Sequence, residues 1–594
     1  MDFEYKILNR INSPADVKNS SRADLYKLAE EMRHALIQKA SVCGGHLGSN
    51  LGIVEITIAM HYVFNSPHDK FVFDVSHQTY CHKMLTGRVK AFIEPEHYND
   101  VIGFSNPKES EHDWFNMGHT STSISLATGL AKARDLVGGD DNIIAIIGDG
   151  ALGGGQAFEG INYASEQGTG LIIVLNDNDM SIAENHGGLY KHLKDLRDSH
   201  GALEDNYFKA MGMEYLFINE GNDIDKMVEA FQSVKGTNHP VVLHVVTKKG
   251  KGYQPAEEEK ENWHWSRPFD ISTGLFKGDG GVPKENYGAI ACAFLMSKMK
   301  KDPMVSVITA ATPICIGFNE KNRKAAGKQF IDVGIMEQHA LSMTTALAQA
   351  GCKPVFATNA TFIQRAYDQI EHEMCITKCP ATLIVTHASV FAHNNITHSG
   401  LLDIPLLANI PNLVYLAPTN KQEYLNMLNW GIEQRQYPVA IRVPWNGVYY
   451  SDREMLVDYS DINRFELVKQ GSTVAVLALG GFYQLGEAAV KQLKEKFGIE
   501  ATLINPRYIS GVDGEMLNKL KDNHEIVVTI EDGILEGGFG SKIARFYGDS
   551  TMKVLTFGFS SQFPEIYDAK QMMVDNELTP EFISMKIAHT MEIK

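Results

Sequence analysis

The sequence predicts an α/β protein of three domains, each built on a central, mostly parallel sheet flanked by helices. Three observations predict it. Short β-rich runs alternate with amphipathic helical patterns, two polar connections interrupt that rhythm, and 594 residues are too many for one ordinary hydrophobic core. Apolar residues make up 44% and charged residues 21%, the balance of a globular protein rather than a disordered one.

The first unit, 1–285, opens with helical patterns such as "RADLYKLAEEMRHALIQKA" and continues with the strand runs "NIIAIIGDG", "GLIIVLNDN" and "HPVVLHVVT". The stretch "KGKGYQPAEEEKENWHWSRPFDISTGLFKGDGGVPKENY" has charge, Pro and Gly in place of periodicity and reads as its terminal linker. A second unit, 286–447, carries the strand candidates "VSVIT", "KPVFAT", "ATLIVTH" and "NLVYLAP". After the polar "NGVYYSDREMLVDYSDIN", a third unit, 448–594, carries "TVAVLALG", "IEATLINP" and "HEIVVTIED".

A formal charge of -17 argues against a nucleic-acid or anionic-membrane surface, so any anionic ligand must meet local donors. The start "MDFEYKILNR" lacks the apolar core of a signal peptide, and a cytoplasmic location is the default expectation. Seven cysteines without a CxxC pair read as reduced thiols. Cys375 and Cys379 could share one helical face, where packing explains them better than metal binding.

In "GDGALGGGQAFEGINYASEQGTGLIIVLNDN", Asp149 and Asn178 each follow a continuous apolar run, and the residues between have room for a crossover helix. In an open parallel sheet this puts both at one carboxyl-end rim, where ligands collect. A carboxylate, an amide oxygen and a nearby backbone oxygen suit a small hard cation that also takes diphosphate oxygens, and magnesium fits best. Gly148 and Gly150 permit close approach of phosphate to backbone. Taken singly, Asp149 is more simply a helix cap and Asn178 a turn residue. Their combination and spacing instead resemble the thiamine diphosphate motif.

The segments from "INSPADVKNSS" through "CGGHLGSNLGIVEITIAMHYVFN" to "DVSHQTYCHKMLTGR", followed by "GHTSTSISLATGLAKA", "GDGAL", "LNDNDMSI", "TKKGKGYQPAE", "GIMEQHA", "TFIQRAYDQI", "THSGLLDI", "INPRYISGVD" and "EDGILEGGFGS", resemble in order the 1-deoxy-D-xylulose-5-phosphate synthase family. The resemblance covers nearly the whole chain. It implies a transketolase-like thiamine diphosphate fold, a homodimer with each site between the first two domains of one subunit, and a transferase feeding isoprenoid and thiamine biosynthesis. Pyruvate would be decarboxylated and its two-carbon unit joined to an aldehyde such as glyceraldehyde 3-phosphate.

Carried over residue by residue, the pattern implies His77, Gly118, His119, Thr120, Gly150, Ala151, Asn178, Tyr253, Glu337 and Phe362 as cofactor contacts, and Asp149, Asn178 and the Met180 backbone as magnesium ligands. Glu337 would pass a proton with the aminopyrimidine ring. His46, His77 and His398 would be catalytic histidines, with His46 and His398 also touching substrate and Arg442 in "AIRVP" binding the acceptor phosphate. His82 in "YCHKM" is explained equally well by a place on a helix face.

Three positions depart from the family. Where it usually has Asp-Arg-Ala-Gly this chain has "THAS", so the arginine is His387; its "GADG" aligns with "AHNN", so the aspartate is Asn394; and a usual tyrosine is Asn359. Imidazole does not reproduce the guanidinium fork. All three fall around the expected acceptor pocket, which implies altered acceptor preference or weaker affinity for glyceraldehyde 3-phosphate. A transketolase-like ketol transfer, a lipoyl-linked 2-oxo acid dehydrogenase component and a non-catalytic cofactor-binding paralogue are the alternatives.

Overall fold

In a computed structural model, which describes residues 3–278, 285–390, 396–445, 447–563 and 568–592, three sheets carry the chain. The first contains β1 (Lys70–Phe73), β2 (Ile143–Gly148), β3 (Leu171–Asp177), β4 (Glu214–Ile218) and β5 (Pro240–Val246), in the order β1-β2-β3-β5-β4 and parallel throughout. The second contains β6 (Val305–Thr309), β7 (Phe330–Asp332), β8 (Lys353–Asn359), β9 (Thr382–Ala388), β10 (Val414–Leu416) and β11 (Val439–Pro444), ordered β10-β11-β9-β8-β6-β7 and also parallel. The third contains β12 (Glu466–Lys469), β13 (Thr473–Ala478), β14 (Thr502–Asn505), β15 (His524–Ile534) and β16 (Lys553–Phe559), ordered β12-β14-β13-β15-β16, with only the edge strand β12 antiparallel.

The apolar runs "IIAIIG" and "LIIVLND" form β2 and β3 because a central parallel strand is covered on both faces and needs no polar side. Successive side chains point to opposite faces, so Ile144, Ile146, Ile172 and Val174 enter one core while Ile143, Ala145, Ile147 and Ile173 enter another. Helices Ser123–Val137 and Gly155–Gln167 contribute Ile124, Ala127, Ala157 and Ile161 to the second of these cores.

Two compact units result, Met1–Gly281 with Gly334–Met336, and Val282–Val333 with Glu337–Lys594; the second and third sheets share the latter. The stretch expected as a linker is, over its described residues up to 278, folded onto the first core. Tyr253, Trp263 and Phe269 are buried there, and their interlocking rings supply the burial that a helix or strand supplies elsewhere. Cys375 and Cys379 are buried thiols. Among the described residues no helix is long and apolar enough to cross a membrane.

Candidate active site

In the first unit, parallel pairing of β2 with β3 in the register Gly148↔Asn176 brings the carboxyl ends of both strands to one rim. Asp149 opens the short helix Asp149–Leu152 and is 2% exposed. Its Oδ2 accepts the Met180 backbone N–H at 3.0 Å and the Asn185 side-chain amide at 2.6 Å, so Asp149 and Met180 lie side by side. The Oδ1 atoms of Asn178 and Asn185 are buried and accept no hydrogen bond among the described residues. Burial, reinforced by the Asp177 carboxylate, pushes the Asp149 carboxyl up to about 7. Asp177 itself is compensated by His244 at 2.8 Å and by Arg197 at 2.8 and 2.6 Å.

Above this rim the backbone is crowded. A Cβ on Gly150 would lie 2.7 Å from Ser181 Oγ, and one on Gly154 would overlap Ser121 Oγ. Ser121, held at φ 72°, donates its hydroxyl to Ala151 O at 2.7 Å, which ties the turn Gly118, His119, Thr120 to Gly150 and Ala151. The buried Asp74 carboxylate accepts Ser121 N at 2.7 Å and Ser123 N at 3.0 Å, fixing the same turn where helix Ser123–Val137 begins. Two charge-assisted bonds are lost in Asp74→Ala, so the variant should be less stable by about 3 kcal/mol or more. Urea unfolding measures this, and an unchanged midpoint would show that the turn does not depend on the carboxylate.

A histidine cluster adjoins the turn that follows β1. The ring of His46 lies 5.1 Å from that of His77 and 5.6 Å from that of His264, and His77 and His264 are 5.3 Å apart. Asn50, fully buried, donates to His46 O at 2.8 Å and His77 O at 2.7 Å, clamping the two segments together. Desolvation, followed by the charges of His77 and Lys249, holds His46 well below 6.5; His264 is held down in the same way. Lys249 donates to Ser181 O at 2.5 Å and lies 3.1 Å from His264 Nδ1, and burial lowers its ammonium to about 7. The sequence reading missed His264 and Lys249, the first because its segment passed for a linker; the aromatic run "NWHW" was the available signal. Tyr253 stands among Trp263 and Phe269, with its hydroxyl donating to Ile271 O at 3.1 Å. His82 lies in a buried row, 2.9 Å from His61 and 3.2 Å from Asp113, which Arg88 neutralises.

In the second unit the functional candidates gather at the carboxyl ends of the second sheet. Glu337 begins helix Glu337–Gln349, is 4% exposed, and its Oε2 makes no hydrogen bond among the described residues, with Arg365 Nη1 3.8 Å away. Burial raises its carboxyl above the usual range against the pull of Arg365. Past β8, the Phe362 ring meets His398 edge-on at 5.7 Å, and Thr361 donates to Thr397 O at 3.1 Å. At the end of β9, the His387 ring stacks on Trp445 at 4.3 Å. Asn394 lies outside the described residues.

Arg442 does not fit the phosphate-binding part expected of it. It is 2% exposed, with Nε donating to Asp403 at 2.6 Å, Nη1 bound to Asp532, and Nη2 donating to Gly400 O at 3.1 Å and Asp532 O at 3.2 Å. Two carboxylates already balance its charge, so it is a structural centre rather than an anion receptor.

The family model described as 1-deoxy-D-xylulose-5-phosphate synthase matches residues 8–204 and 198–247, and the transketolase pyrimidine-binding and C-terminal domain models match 287–448 and 463–583. The 1-deoxy-D-xylulose-5-phosphate synthase of Caldanaerobacter subterraneus subsp. tengcongensis is 37% identical over 604 residues, covering 95% of this chain and 96% of its own. That of Heliobacterium modesticaldum is 39% identical over 575 residues, covering 91% and 88%. The chain belongs to the 1-deoxy-D-xylulose-5-phosphate synthase family. Among solved structures, a transketolase from Campylobacter jejuni subsp. jejuni aligns over 96% of this chain and 100% of its own at 17% identity, with a TM-score of 0.44.

As a member of the 1-deoxy-D-xylulose-5-phosphate synthase family, the chain is a thiamine-diphosphate-dependent transferase with a transketolase-like fold, and its cofactor is bound with a divalent metal ion. Ketol transfer and a non-catalytic role are not favoured by relatives that match along nearly the full length. The first-unit rim fits the metal and diphosphate. Buried amide oxygens without donors beside an unneutralised carboxylate form a hard-oxygen set, and the glycine turn exposes backbone to phosphate.

Proposed function

We infer that pyruvate is the donor and a short sugar aldehyde the acceptor. The relatives' name, 1-deoxyxylulose 5-phosphate synthase, specifies a five-carbon product with a methyl ketone at one end. That product is the sum of a two-carbon unit from pyruvate and glyceraldehyde 3-phosphate. Pyruvate loses carbon dioxide, one carbon–carbon bond forms to the aldehyde carbon, and the aldehyde oxygen takes up a proton.

When bound, thiamine diphosphate supplies the nucleophilic carbon and the electron sink that loss of carbon dioxide requires. Asp149, Asn178 and the Met180 carbonyl would hold the metal, and Gly118, His119, Thr120, Gly150 and Ala151 would receive the diphosphate. His77, Tyr253 and Phe362 would complete the cofactor contacts. Glu337, buried, with an Oε2 that makes no hydrogen bond among the described residues and is faced by Arg365 Nη1 at 3.8 Å, would hold and return a proton to the bound coenzyme. His46 and His264 are kept neutral, which lets each give or accept one hydrogen bond around a carboxylate without a fixed charge. His398 carries a proton to the developing alkoxide.

The observation that carries this reading is that the Asp149 carboxylate and the Asn178 amide oxygen, which accepts no hydrogen bond among the described residues, follow the carboxyl ends of adjacent parallel strands. Incubation of the purified protein with magnesium, thiamine diphosphate, labelled pyruvate and aldehydes should release carbon dioxide and give a two-carbon-extended product by mass. No release with any aldehyde would reject the reading. The same proposal includes the domain ranges 1–285, 286–447 and 448–594, a homodimer, which light scattering checks, and a cytoplasmic location.

A further inference from the structure

Glu337, Phe362 and His398 share the carboxyl-end rim of the second sheet with a narrow cleft lined by Cys315, Thr386, His387, Pro444 and Trp445. No Lys or Arg is among its described lining residues. Its interior measures about 20 Å³, room for little more than one water-sized group. His387 and Trp445 close it as a pair. β9 and β11 are parallel neighbours, Trp445 N donates to Ala388 O at 3.4 Å, and the two rings stack at 4.3 Å with 22° between their planes.

The pair is fixed from behind. Thr386 Oγ lies 2.9 Å from Asn359 Oδ1 and 3.1 Å from His387 Nδ1, so the departure at 359 buttresses the departure at 387. His387 is held at φ 53°, and burial lowers its imidazole to about 4, so it is uncharged at neutral pH. A phosphate dianion leaving water needs a cation or a fork of donors. Stacked neutral rings offer flat apolar faces and a space that a phosphoryl group overfills.

We propose that His387 and Trp445 are specificity-determining residues that make the acceptor end of the site select short, unphosphorylated aldehydes. This rests on the pyruvate-and-aldehyde reading above. The carbon–carbon bond formed and the carbon dioxide lost are unchanged; only the far end of the aldehyde differs, carrying a hydroxyl where a phosphate would be.

Glyceraldehyde and glyceraldehyde 3-phosphate share a carbon frame and isolate that difference. With magnesium, thiamine diphosphate and pyruvate, the holoenzyme should show kcat/KM for glyceraldehyde at least about tenfold above that for its phosphate. The double variant His387→Arg, Trp445→Ala adds a guanidinium and removes the indole, and should move the ratio at least about tenfold toward the phosphate. Trp445→Phe keeps a stacking ring and should retain the wild-type preference. Wild-type preference for the phosphate, or a double variant with an unmoved ratio, overturns the proposal while leaving the donor reading intact. Absence of carbon dioxide release with either aldehyde removes the donor reading, and the proposal with it.

Discussion

Glu337→Gln should lower the rate of product formation by about 10²–10⁴-fold, the usual contribution of a positioned acid–base group. The substitution keeps the volume of a side chain that is 4% exposed, so the loss is chemical rather than a packing defect. Magnesium and thiamine diphosphate should still bind, because their proposed ligands are in Asp149, Asn178 and the glycine turn, and calorimetry can separate binding from turnover. Near-normal product formation would eliminate the proton relay. The same variant has a signature in stability. Burial raises the Glu337 pKa in the folded state above 4.5, so its contribution is fully present below the unfolded value and lost as pH rises through the folded one. Urea midpoints of the wild type should therefore fall relative to those of Glu337→Gln as pH rises from about 4.5.

Asp149→Asn should weaken joint uptake of magnesium and thiamine diphosphate by at least about a hundredfold. The amide keeps an oxygen but removes the one formal negative charge among the proposed metal ligands, and magnesium binds through charge as much as through geometry. In the wild type, ligand at about 100 times its Kd adds about 2.7 kcal/mol to stability and raises Tm. The variant should gain at most about 0.4 kcal/mol at the same concentrations, and chelation should return the wild type to its unliganded baseline. An undiminished shift in Asp149→Asn would place the metal elsewhere.

The legible parts of the fold were the long apolar runs. β2, β3, β5 and β15 could be read because each is a continuous β-branched stretch. β7 (Phe330–Asp332) and β1 (Lys70–Phe73) were not read as strands, and their pairing with β6 and β2 is what makes them so. The same boundary runs through the site. Asp149 and Asn178 were visible because they follow such runs at a telling interval. Asp74 and Asn50 were not, because each acts through backbone groups distant in the chain that only tertiary folding delivers. Arg442 shows the opposite failure. The family pattern makes Arg442 a phosphate-binding residue until Asp403 and Asp532, 39 and 90 residues away, are seen against it.

That triad has a consequence for how the second unit comes apart. Asp403 and Arg442 belong to the second sheet's surroundings and Asp532 to β15 of the third, so one guanidinium rivets both sheets. Prising them apart would strand opposite charges in a dry interior, which is costly enough to couple their melting. Calorimetry should therefore record Val282–Val333 with Glu337–Lys594 as a single cooperative block, and amide protons in β11 and β15 should exchange together rather than in sequence.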